Sequence, residues 1–234
     1  GGNLTASSLE FTVLRRKYIL GQVPHYGFTL AEVLVTLGII GVVSAMTVPT
    51  LMQNYQRKTY VTQLHKVYNE MSQALLQYQN DRNALNLTEA GITSTATFDS
   101  FVENYMRIVS TCDKMQSPCF ADSYKKIDGA TFTGASLEYK SYVLANGVSI
   151  RPYYTKAADK LINLYVDVNG LQGPNILGRD LFIFGVYNNG LLDTYSNDTT
   201  TAPLTKEQRE NAVNESYAWA PVARILNDNW EMTY

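Results

Sequence analysis

The sequence predicts an α+β fold: a long N-terminal helix, membrane-spanning in its first half, packed on an antiparallel β-sheet head. Three observations carry this. Residues Phe28 to Met52 form one apolar stretch whose only charge is Glu32. Apolar residues then recur at helical spacing to Tyr78, and β-rich runs punctuated by Asn-Gly follow from Tyr139 onward.

The apolar stretch comes first in the argument. At about 1.5 Å per residue it crosses a hydrocarbon core of about 30 Å. It is longer than the apolar region of a signal peptide, and no A-x-A site follows it. Before it stand Arg15, Arg16 and Lys17 against a single acid, Glu10. Basic residues stay on the cytoplasmic side, so the chain beyond the helix faces outward. The sequence opens on Gly1 without an initiator Met, which leaves the gene's true start open.

Beyond Met52 the chain turns polar but keeps the helical period. Val61, Leu64, Tyr68, Met71, Leu75 and Tyr78 alternate at spacings of three and four, placing them on one stripe. That stripe reads as a core-facing surface; a coiled-coil seam is the other reading. Pro49 removes a backbone donor and is placed to bend the helix near its exit. Four segments result: a basic N-terminal stretch over 1–27, a transmembrane half over 28–52, an amphipathic half over 53–80 and a globular head over 81–234.

In the head, the polar stretch Asn80 to Thr97 reads as a loop. Phe98, Phe101, Val102, Tyr105, Met106 and Val109 read as a second helical stripe. Tyr139–Ala145 and Val148–Tyr154 flank Asn146-Gly147, a two-residue hairpin signal. Leu161–Val168 and Leu181–Tyr187 are further β-rich runs, each closed by Asn-Gly. About four antiparallel strands laid on the long helix follow. Ser196 to Thr201 is a polar loop. Thr205 and Gln208 have the spacing of a capping box, and the tail from Tyr217 to Tyr234 carries Trp219, Ile225, Leu226 and Trp230 to pack on the head.

Composition excludes several functions. A net charge of −2 gives no reason to expect nucleic acid as a partner, although Lys125, Lys126, Lys140 and Arg151 are candidates for a local patch. The two histidines, His25 and His65, stand far apart, so a His-rich metal site is not expected. No nucleophile–base pair, P-loop or dinucleotide fingerprint is present, and no enzymatic activity is expected. Asp167, Asn169 and Asp180 supply oxygen ligands around a turn. They are weak calcium candidates lacking EF-hand spacing, and a tight structural turn is the better reading; no cofactor is expected. Cys112 and Cys119 enclose six residues. This suits a small disulfide loop if the head is exported, or otherwise two buried thiols.

Glu32 is the anomaly. A carboxylate inside an apolar helix costs several kcal/mol, roughly 3, unless paired or solvated. Either it lies close enough to the helix end to reach the interface, or another molecule supplies its partner, such as a neighbour's free N-terminal amine.

Gly27-Phe28-Thr29-Leu30-Ala31-Glu32-Val33-Leu34-Val35 closely resembles the cleavage and methylation motif of type IV prepilins and type II secretion pseudopilins. The resemblance covers Gly27 to about Tyr78. It implies a prepilin peptidase that cuts between Gly27 and Phe28 and N-methylates Phe28. Glu32 takes the place of the buried assembly glutamate, and Pro49 that of a helix-loosening proline. Also implied are the pilin architecture, other pilin or pseudopilin subunits and inner-membrane assembly machinery as partners, and a bacterial inner-membrane location with the head outside, then a pilus or pseudopilus. The alternatives are a membrane-anchored adhesion or binding module and a DNA-uptake minor pilin. The chemistry suits the cut: Gly27 lets catalytic groups approach its carbonyl. The freed amine and a neighbouring Glu32 can neutralise each other.

Overall fold

The computed structural model describes residues 27–113, 117–133, 139–197 and 201–234. The basic block Arg15–Lys17 and most of the leader lie outside these residues. The chain divides into two units, residues 1–48 and 49–234. Helix α1 runs over Leu30–Asp81, with Pro49 inside it at the division.

In the first unit every described side chain is exposed, including Phe28, Leu34, Leu37, Ile39 and Ile40. Among the described residues α1 is the helix long and apolar enough to cross a membrane. Its apolar window is wholly unburied, unlike the core helix of a soluble protein.

The second unit holds the sheet. The strands are β1 Ile108–Cys112, β2 Tyr124–Lys125, β3 Thr131–Phe132, β4 Ser141–Leu144, β5 Ser149–Ala157, β6 Lys160–Asp167, β7 Leu181–Tyr187 and β8 Leu192–Asp193. Six of them form one antiparallel sheet in the order β1-β4-β5-β6-β7-β8, and β2 pairs with β3 separately. The expected four strands are therefore β4 to β7. The two additions sit at the sheet edges. Val109 does not continue a helix; it lies in β1 and is exposed. Strand β8 has two residues, too short to show a period.

The three remaining helices are α2 Thr95–Tyr105, α3 Lys206–Glu215 and α4 Ala220–Asn227. Helix α2 begins inside the stretch read as loop. Ser94 caps it: its hydroxyl accepts from Thr97 N while the Thr97 hydroxyl accepts from Ser94 N. A Thr at the third position closes this box where Glu or Gln is usual. Thr205 and Gln208 form the expected box on α3.

The core explains the pattern. Val61, Leu64, Met71, Leu75 and Tyr78 of α1 pack against Ile150, Ile162, Leu164, Phe182 and Phe184. The opposite sheet face, through Tyr165, Leu181 and Ile183, packs on Cys119, Phe120, Tyr124 and Phe132. Every residue of β6 and β7 is buried. A strand covered on both sides has no polar face, hence the continuous run Leu181–Tyr187. Gly147 and Gly190 take φ of +85° and +84° in the β4–β5 and β7–β8 turns, which a side chain would strain. The tail packs as expected: Ile225 is buried, and Trp230 stacks on His65 at 4.1 Å.

Candidate processing and assembly site

Gly27 and Phe28 precede the first turn of α1. A Cβ built on Gly27 meets nothing within 4 Å, and Phe28 is 86% exposed.

Glu32 occupies the third position of α1, and its carboxylate is engaged within the chain. One oxygen, Oε2, accepts from Thr29 N at 2.8 Å and from Thr29 Oγ1 at 2.8 Å, while Thr29 Oγ1 accepts from Glu32 N at 3.2 Å. This is a reciprocal capping box. It satisfies two of the donors that a helix start leaves without partners, and it places a negative charge at the positive end of the helix dipole. The other oxygen, Oε1, is left for a further donor. Thr29 is the residue the sequence reading passed over. Its signal was present, because Thr-x-x-Glu ahead of an apolar run is the capping-box pattern applied to Thr205.

The remaining candidates lie elsewhere. Pro49 stands seventeen residues beyond Glu32 in the sequence. Cys112 and Cys119 form a disulfide with Cα atoms 6.1 Å apart, and Cys119 is fully buried. Asp167 and Asp180 are also fully buried, and protein donors engage all four of their carboxylate oxygens. Asn169 N and the Tyr124 hydroxyl donate to Asp167, and Ile176 N and Asn175 N donate to Asp180. Asn169 uses its side-chain N–H on Gly173 O at 3.0 Å. Each of those oxygens thus serves the turn itself, accepting a hydrogen bond that holds the loop in place. Burial raises the Asp167 carboxyl to about 7 and shifts Asp180 the same way. Among the described residues no group of three or more His, Cys, Asp or Glu side chains is placed to hold a metal ion.

The four cations considered for nucleic acid are not gathered into an open patch. Arg151 is fully buried with Tyr165, Lys140 pairs with Glu103 at 3.3 Å, and Lys126 lies over the Tyr217 ring at 3.8 Å.

Residues 24–48 match the family model described as the prokaryotic N-terminal methylation motif. The chain carries the signature of type IV pilins and pseudopilins. The match covers the Gly27–Phe28 bond, the Thr29–Glu32 capping box and the apolar part of α1 up to residue 48. No curated protein and no solved structure matches the chain. The methylation motif and the exposed apolar helix together fit a membrane-anchored protein.

Proposed function

We propose that this chain is the precursor of a filament subunit of the pilin or pseudopilin kind. A prepilin peptidase cuts after Gly27 and methylates Phe28. The processed subunit waits in the inner membrane with its head outside, then joins other subunits through α1. Its role is structural rather than catalytic. The observation that carries the reading is the methylation motif at the start of an unburied apolar helix.

The capping box gives the anchored-module alternative a specific footing, since it accounts for Glu32 without a neighbour. The two readings differ in what Glu32→Val does. An anchored module loses only a helix cap, about 1 kcal/mol. A filament subunit also leaves a neighbour's terminal amine unpaired within the bundle, a loss of roughly 3–5 kcal/mol. Filament recovery by shearing and cysteine crosslinking between adjacent helices, at matched membrane levels, separates them. We expect Glu32→Val to insert and be cleaved but to drop out of filaments when wild-type subunits compete. Assembly equal to wild type would leave the anchored module standing.

A further inference from the structure

We propose that a cationic surface built by Arg57, Lys58, Arg179 and Arg224 docks on anionic phospholipid headgroups while the subunit resides in the membrane. The inference rests on the membrane-anchored reading and adds a lipid partner to it.

Four observations point there. The first is spacing. After Glu32 no charged residue occurs until Arg57, and the 24 residues between them span about 36 Å as a helix. A hydrocarbon core is about 30 Å thick, and the headgroup layers bring the bilayer to about 40–45 Å. Arg57 and Lys58 are thus the first charges after the apolar stretch that ends at Met52, five and six residues on, where the chain leaves the hydrocarbon for the headgroup layer. The second is convergence. Arg57 and Lys58 line a groove of about 600 Å³ with His65, Trp230 and Glu231. Arg57 also lines a neighbouring groove with Tyr60 and Arg179. The guanidinium groups of Arg57, Arg179 and Arg224 all lie within electrostatic range of the Tyr234 hydroxyl. Residues more than a hundred positions apart are thus gathered into one positive region of a chain whose net charge is −2.

The third is availability. The ion pairs among the described residues are Lys66–Glu70, Lys140–Glu103 and Arg209–Asp193, and none engages these four cations. The groove that holds Arg57 and Lys58 is lined by one acid, Glu231, and the groove that holds Arg57 and Arg179 by none. The fourth is the aromatic company. Tyr55 is 74% exposed, and Tyr60 and Trp230 lie beside the grooves. Tyr and Trp gather at membrane interfaces, where an apolar ring and a polar edge are both accommodated. Arg forks suit phosphate oxygens, and basic residues near an anionic surface are attracted to it over about a Debye length.

The test uses the full processed chain, one copy per lipid nanodisc, in phosphatidylcholine alone or mixed with phosphatidylglycerol. Amide hydrogen exchange is followed over residues 53–62, 171–180 and 224–234. Phosphatidylglycerol should slow exchange there by at least about fivefold, the contribution of one engaged cation, and by more with each further cation engaged. Raised salt, or the variant Arg57→Gln/Lys58→Gln/Arg179→Gln, should abolish the difference. Lys140→Gln, on a cation held by Glu103, should retain it. Equal exchange in both lipids overturns the proposal. So does protection in phosphatidylcholine discs from soluble glycerol phosphate, or protection that appears only with several copies per disc, which would assign the surface to a neighbouring subunit. A chain that fails to enter nanodiscs of either composition would instead refute the membrane-anchored reading.

Discussion

Glu32 and Thr29 show how one carboxylate serves a helix start before any partner is considered. In an apolar medium an uncompensated charge costs at least about 2.5 kcal/mol. The two Thr29 donors reduce that penalty within the chain itself. Thr29→Val should therefore weaken the first turn while leaving the cut site and apolar helix intact. The expected loss is about 1 kcal/mol, read as roughly fivefold faster amide exchange over residues 31–34 in the membrane-inserted subunit. Unchanged exchange would show that the box contributes nothing there. At the same scale, two of the head's buried ionisable groups are shifted in opposite directions. Burial holds Asp167 up at about 7 and Lys160 down at about 8. Asp167 in the folded head binds its proton more tightly than in the unfolded chain, so stability falls as pH rises from about 4 to 7. Lys160 binds its proton less tightly when folded, so stability rises as pH goes from about 8 toward 10. Between about pH 5 and 9.5 the melting temperature should pass through a minimum near 7 to 8. Asp167→Asn should flatten the acid limb and Lys160→Met the alkaline one. A melting temperature that climbs steadily from pH 5 to 8 would contradict this assignment.

The elements divide into those visible from periodicity and those fixed by contacts across the fold. The stripe on α1 and strands β4 to β7 were legible because their buried residues follow simple spacings with Asn-Gly turns between them. The first turn of α2 was not, because its cap uses Ser and Thr in place of the usual Glu or Gln. Strands β1 and β8 were not, because Val109 continues a helical spacing by chance and β8 is two residues long. Helix α3 is mostly polar and is tied to β8 by one buried pair. Arg209 donates to Asp193 from Nε at 2.9 Å and from Nη2 at 2.8 Å, and Asp193 also accepts from Leu204 N and Thr194 N. Arg209→Met should destabilise the head by roughly 3–5 kcal/mol, because it leaves a buried carboxylate without its counter-charge. Chemical denaturation of the processed chain measures this; a loss under about 1 kcal/mol would mean that the pair is not a structural tie. Gly185 is a second constraint. A methyl there would lie 3.1 Å from Lys160 Cδ and 3.2 Å from Tyr187 Cε2. Gly185→Ala should cost about 1–3 kcal/mol through crowding beside the buried lysine.

For the whole molecule, the methylation motif was legible in nine residues, Gly27 to Val35, because its signal is local and needs no contact across the fold. The head was legible as architecture only. Its Asp167–Asp180 turn has the oxygen-rich composition of a cation loop, yet the sequence does not reveal that Tyr124, from a distant hairpin, donates to Asp167. The disulfide joins Cys112 at the end of β1 to Cys119 of the second core cluster and fits export of the head to an oxidising compartment. Alkylation of native protein with and without reductant should find Cys112 and Cys119 protected until reduced. The central claim is processing, and intact mass with N-terminal peptide mapping tests it most directly. Membrane fractions from cells with and without a prepilin peptidase should differ by loss of residues 1–27 and gain of one methyl group on Phe28. Gly27→Leu should remain uncut. A mature chain that begins at any other residue, or an unchanged precursor in the presence of an active peptidase, would contradict the account.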